Sequence, residues 1–129
     1  MLPRMLLVTA AMSCAMAVAV AAFSDREFCD VAKQVAIAAE QDVGNWIDRK
    51  TRNAGIIVDC TDKVVQFKRF TYLPTTAFND AWKQRTSTSW NARHCSSAIW
   101  REAVKTGWKV QLGVWSADGG HASMLAQCD

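Results

Sequence analysis

The clearest alternation of apolar and polar positions lies near the C-terminus, where residues 108–128 read WKVQLGVWSADGGHASMLAQC. Asp118, Gly119 and Gly120 sit at the tip of a loop over 116–120, and glycine supplies the positive φ that a hairpin turn requires. Pairing Trp115 with His121 places Val110, Leu112 and Val114 on one face, opposite Ala122, Met124, Ala126 and Cys128. The other face then carries Lys109, Gln111, Gly113 and Trp115, opposite His121, Ser123, Leu125 and Gln127. A slip of one residue would turn Lys109 and Gln111 toward Ala122 and Met124, so burial of a single face selects the first register. The hairpin is expected to bury its aliphatic side and to present Trp115 on a polar one.

Upstream, the pattern changes from a period of two to one of three to four. Ser24 and Glu27 form a capping box, and Phe28, Ala32, Val35, Ala39, Val43 and Trp46 follow at helical spacing, which predicts an amphipathic helix over 25–49. Residues 51–55 read as a break. Residues 56–60 and 64–72 are rich in β-branched and aromatic types around Thr61, Asp62 and Lys63, which predicts a second hairpin. Its expected core face holds Ile56, Val58, Cys60, Val65 and Phe67, with Asp59, Gln66 and Lys68 on the other. Thr75 or Thr76 can cap a short helix to about residue 85. A polar connection over 86–89 and a helix over 91–106, stopped by Gly107, complete the pattern. Helix, hairpin, short helix, helix, hairpin predicts an α+β domain with a four-stranded antiparallel sheet, one face of which is covered by helices.

The N-terminal stretch follows a different logic. Arg4 precedes an almost wholly apolar run from Met5 to Ala22 that ends in the small residues Val20, Ala21 and Ala22. Residues 1–22 therefore read as a signal peptide. The run also approaches the roughly 20 apolar residues a membrane span needs, so an uncleaved anchor is the alternative. Residues 23–129 are then a single exported domain, periplasmic or secreted, with a modest core. A formal net charge of +3 is too small to favour nucleic acid as a partner.

Outside the apolar run, which contains Cys14, the cysteines are Cys29, Cys60, Cys95 and Cys128. An even number in a small exported domain points to disulfides. Spacing alone leaves the connectivity open. A helix that runs out and a strand that returns beside it would bring Cys29 to Cys60, which leaves Cys95 with Cys128 in a less comfortable geometry.

Candidate chemistry is sparse. His94 and His121, with Lys109 on the same strand face as His121, could serve as base, acid and charge stabiliser in a ribonuclease-like hydrolase, but no motif surrounds them. Exposed or locally bonded histidines are the plainer reading. Short Cys and His spacings of a metal site are absent, as are phosphate-binding and dinucleotide glycine motifs and a haem-attachment sequence, so neither a metal nor a cofactor is expected. Of the six tryptophans, Trp46, Trp82 and Trp108 are explained by bulk in a small core. Trp115 beside His121, and Trp90 in the polar connection, are candidates for contact with a partner.

The leading expectation is an exported, non-catalytic module that binds a protein or glycan partner through Trp115, His121, Gln111, Ser123 and Trp90. A small secreted hydrolase using the two histidines is the alternative. A membrane-anchored accessory subunit of an envelope complex is the third, and it alone requires that residues 1–22 stay uncut.

Overall fold

The computed structural model describes residues 24–129, and the expected export segment over 1–22 lies outside them. Helix α1 (Asp25–Glu40) starts where the capping box places it: Ser24 Oγ accepts from the Glu27 amide and its hydroxyl donates to the Glu27 carboxylate, both at 3.2 Å. It ends well before residue 49. The chain turns at Gly44, whose φ is +85° and whose amide bonds to the Asn53 carbonyl at 2.8 Å. The apolar spacing through Val43 and Trp46 meets no core there, and these side chains remain 52% and 51% exposed.

Strand β1 (Thr51–Asp59) begins earlier than its aliphatic run. Thr51, Arg52 and Asn53 already pair with Thr71, Phe70 and Arg69, and the register then shifts before Ile56. The expected break is thus a bulge around Gly55, at φ +98°, inside a longer strand. Strand β2 (Val64–Thr71) closes the first hairpin.

A short 3-10 turn (Thr75–Ala77) leads into helix α2 (Asp80–Cys95), capped by Asn79 Oδ1, which accepts from the Trp82 amide at 2.9 Å. The residues expected as a polar connection, 86–89, are helical. Serine and threonine are tolerated there because a hydroxyl can bond back one turn, as Thr88 does to the Gln84 carbonyl at 2.9 Å. The helix break falls instead after Cys95, and Ser97 is the cap residue of helix α3 (Ala98–Lys105). Strands β3 (Lys109–Ser116) and β4 (His121–Leu125) follow.

The sheet order is β1-β2-β3-β4. Both hairpins are antiparallel, but β2 and β3 run parallel, so the domain is α+β as expected while its sheet is mixed rather than wholly antiparallel. The reason is the connection: α2 and α3 carry the chain back to the end from which β2 started, and a parallel pair needs such a crossover. The terminal hairpin adopts the register that its burial pattern selects, with Trp115 opposite His121, Val114 opposite Ala122 and Leu112 opposite Met124.

One face of the sheet carries the core. Val65, Val110 and Leu112 are fully buried and Val114 nearly so, packed with Phe28 and Ala32 of α1, Trp90 of α2 and Ala103 of α3. The alternate positions Gln66, Lys68, Phe70, Gln111, Trp115, His121 and Ser123 lie on the opposite face, which the described helices leave open. Two disulfides close the domain: Cys29 with Cys60, at a Cα separation of 5.7 Å, and Cys95 with Cys128, at 5.5 Å. The second is comfortable because Cys95 ends its helix rather than starting one. The tail beyond β4 then crosses α2, where the Gln127 amide donates to Asn91 Oδ1 at 2.9 Å.

Candidate functional site

The two histidines lie on opposite sides of the sheet. His94 is 2% exposed on the helical side, with Nδ1 3.0 Å from the Trp90 carbonyl and its ring 4.1, 5.2 and 5.2 Å from those of Trp90, Phe67 and Trp100. His121 is exposed on the open face and stacks on Trp115 at 4.5 Å. Lys109 shares that face but stands at the far end of β3, about 20 Å along the strand at ~3.3 Å per residue. Base, acid and cation of a two-histidine hydrolase are therefore not brought together by this fold.

Burial holds the His94 pKa below its ordinary value of 6.5; the bond to the Trp90 carbonyl opposes the shift, and the nearby Arg93 and Arg69 charges add to it. Because the unfolded chain binds the proton more readily, stability is full above about pH 6.5 and falls as the pH drops through that value toward the folded pKa. The urea midpoint should decline between pH 7 and pH 5, and a His94→Gln variant should show a flatter profile over the same range. The lowered carboxyls of Asp25 and Asp118 titrate below this window, so they leave it clean.

The open face carries a row of rings in two groups, Trp46 with Tyr72 and Phe70, and Trp115 with His121. The Trp115 indole lies flat over Gly113, where an added Cβ would come within 2.7 Å of it. Lys68 Nζ sits 5.5 Å from the Trp115 ring, and Phe70 is the strand neighbour of Trp115. Tyr72 packs edge-on to Phe70 at 5.2 Å and lies 6.0 Å from Trp46. Arg52 stacks on Trp46 at 3.9 Å, and its buried Nε has no hydrogen-bond partner among the described residues. Gln66 donates to Gln111 at 3.4 Å in the middle of this surface, and Ser123 is exposed beside Gly113. The hairpin end that holds Trp115 and His121 is fixed by Asp118, which accepts from the Thr75 amide at 2.8 Å, the Gly120 amide at 3.1 Å and the Thr75 hydroxyl. These bonds, led by that from the Thr75 hydroxyl, hold the Asp118 carboxyl far below the usual range.

The structure thus brings Trp115, His121, Gln111 and Ser123 onto one surface. Trp90 does not belong with them. It is 2% exposed within the core, where its Nε1–H donates to the Val110 carbonyl at 3.1 Å, because the segment expected to be a polar connection is helical and turns it inward. Sequence reasoning missed Phe70, Tyr72, Arg52 and Trp46. Extending the alternation of Gln66 and Lys68 by two more steps would have found the first two. Trp46, expected in the core, was hidden by the assumption that α1 continues through it.

Among the described residues, no group of three or more His, Cys, Asp or Glu side chains could hold a metal ion, and no helix is long and apolar enough to cross a membrane.

No family model matches the chain, and no curated protein matches it at a significant level. Solved structures do share the fold. One is a candidate secreted protein of Pseudomonas aeruginosa, with a TM-score of 0.62 at 12% identity, covering 78% of this chain and 89% of that one. Another is the pilotin EpsS of the Vibrio vulnificus type 2 secretion system, with a TM-score of 0.53 at 12% identity, covering 80% of this chain and 90% of the other. At that identity, the likeness is one of fold.

Proposed function

We propose that this chain is an exported, non-catalytic module that binds a protein partner in the cell envelope through the open face of its sheet. The observation that carries the reading is the row Trp46, Tyr72, Phe70, Trp115 and His121, flanked by Arg52 and Lys68, on a face that the described helices leave uncovered. Aromatic side chains and arginine are the residue types that dominate binding energy at protein interfaces, because they bury large areas while keeping a polar edge. The paired disulfides support an oxidising compartment. The shared fold supports the same reading, since one of the similar structures is described as secreted and the other is a pilotin of a secretion system. A protein is favoured over a glycan by that second likeness. Separation of the histidines across the sheet removes the geometric motive for a hydrolase.

The test is capture of envelope proteins by the disulfide-intact, tagged protein, compared with Trp115→Ala and Tyr72→Ala variants whose circular dichroism is native. A hot-spot side chain is worth about 2 kcal/mol or more, so each variant should bind the captured partner roughly thirtyfold more weakly or worse. Unchanged affinity in both would remove this face from the reading. Turnover of RNA by the pure protein, lost in His94→Ala or His121→Ala, would replace the reading with an enzymatic one.

A further inference from the structure

On the helical side of the sheet, α1 and α2 leave part of β1 and β2 uncovered between them. Hollows of about 310, 290 and 110 Å³ adjoin one another there, and Arg69 lines all three. Arg93 lines the two larger ones, and Arg85 stands at the α2 side. The α1 side is apolar, with Val35, Ala39 and Ile56, while on the α2 side Trp82 stands among Arg85, Thr86 and Ser89. The Arg69 guanidinium lies 5.7 Å from the Trp90 ring centroid at the bottom.

Among the described residues, Arg69 and Arg93 have no carboxylate within ion-pairing distance, and the ion pair found there is Lys63 with Asp25, elsewhere in the fold. Asp42 and Asp48 line the ends of the cleft without pairing with either arginine. Burial, followed by the Arg93 charge, disfavours the charged form of Arg69, and Asp48 only partly offsets this. A half-buried guanidinium beside a second one is an arrangement that an anion would relieve, and a carboxylate can meet the fork of an arginine with two parallel hydrogen bonds. The apolar α1 wall and the Trp82 ring facing it suit a carboxylate carried beside apolar side chains better than a free, fully hydrated anion.

We infer that this cleft is a second binding site, which takes an acidic side chain of a partner polypeptide between Arg69 and Arg93, with flanking apolar residues against Val35, Ala39 and Trp82. It is separate from the open-face reading, being on the other side of the sheet, and its test does not depend on that reading.

The experiment is an NMR titration of the disulfide-intact protein with acetyl-Leu-Glu-Leu-amide, with its Leu-Gln-Leu counterpart, and with inorganic phosphate, following the arginine Nε–Hε signals. Saturable shifts centred on Arg69 and Arg93 are expected with the glutamate peptide, and binding should be about tenfold weaker with the glutamine peptide. Arg93→Gln, at an exposed helix position that the core does not use, should weaken the glutamate peptide by about the same factor. Arg69→Lys, which keeps the charge but loses the fork, should weaken it less than Arg69→Gln does. Equal shifts with both peptides, or no saturable shift by about 20 mM, would overturn the inference. Saturation by phosphate without saturation by the glutamate peptide would also overturn it, and would assign the cleft to a small inorganic anion.

Discussion

Replacing Trp90 by alanine is expected to destabilise the domain by about 3–5 kcal/mol, the range for removing a large aromatic from a well-packed core. The indole is 2% exposed and packs edge-on to Phe67 at 5.0 Å, against His94 at 4.1 Å and over the Val110 strand. Its loss leaves a cavity between α2 and the sheet and deprives the Val110 carbonyl of the indole N–H. Small domains have a total stability of only about 5–15 kcal/mol, so this one substitution removes a large share. Urea denaturation should show a midpoint far below that of wild type. Trp115→Ala, on the open face, should lower it much less, because its ring is only partly buried and leaves no sealed cavity. A Trp90→Ala midpoint no lower than that of Trp115→Ala would contradict the placement of the two rings.

Removing either disulfide comes next in size. The bridges close loops with sequence separations of 31 and 33, for which the chain-entropy argument gives about 3–4 kcal/mol each. Paired alanine substitutions should therefore lower the urea midpoint by similar amounts, but the two should differ in where the structure loosens. Cys29 follows the buried Phe28, so Cys29→Ala with Cys60→Ala should weaken protection from hydrogen exchange across α1 and β1. Cys95→Ala with Cys128→Ala frees the tail that crosses α2, so exchange should rise first at Ala126 and Gln127, whose amides bond to Val110 and Asn91. If dithiothreitol left the midpoint unchanged, the bridges would carry no such weight.

The register of the terminal hairpin was legible to the residue, because a period of two with one aliphatic face admits a single sensible register and Gly119 with Gly120 marks the turn, although β4 ends at Leu125 and does not run on to Cys128. The capping box located the start of α1 for an equally local reason. Its end was not legible: Val43 and Trp46 keep helical spacing but face solvent, and only the pairing of Asn53 with the turn at Gly44 shows that the chain has already become sheet. The span of α2 was obscured by Thr86, Ser87, Thr88 and Ser89, poor helix formers that are held by Asn79 at the cap and by packing of Trp90. The parallel pairing of β2 with β3 depends on how two helices cross the sheet, which no local pattern encodes. Of the candidate surface, the β3 and β4 half was readable from alternation. The half built from Arg52, Trp46 and Tyr72 was not, since it needs the early start of β1 that the bulge at Gly55 permits.

Each disulfide joins cysteines that are neighbours in sequence, so neither bridge connects the first half of the chain to the second. Of the three ways to pair four cysteines, this is the one that a chain emerging gradually into an oxidising space can complete in order of appearance. Cys29 and Cys60 can close before Cys95 is available, and among the described residues the second pair then finds no competing thiol. The fold can reach its native bonds without reshuffling, and the one long-range step left is the docking of two already stapled halves along the β2–β3 ladder.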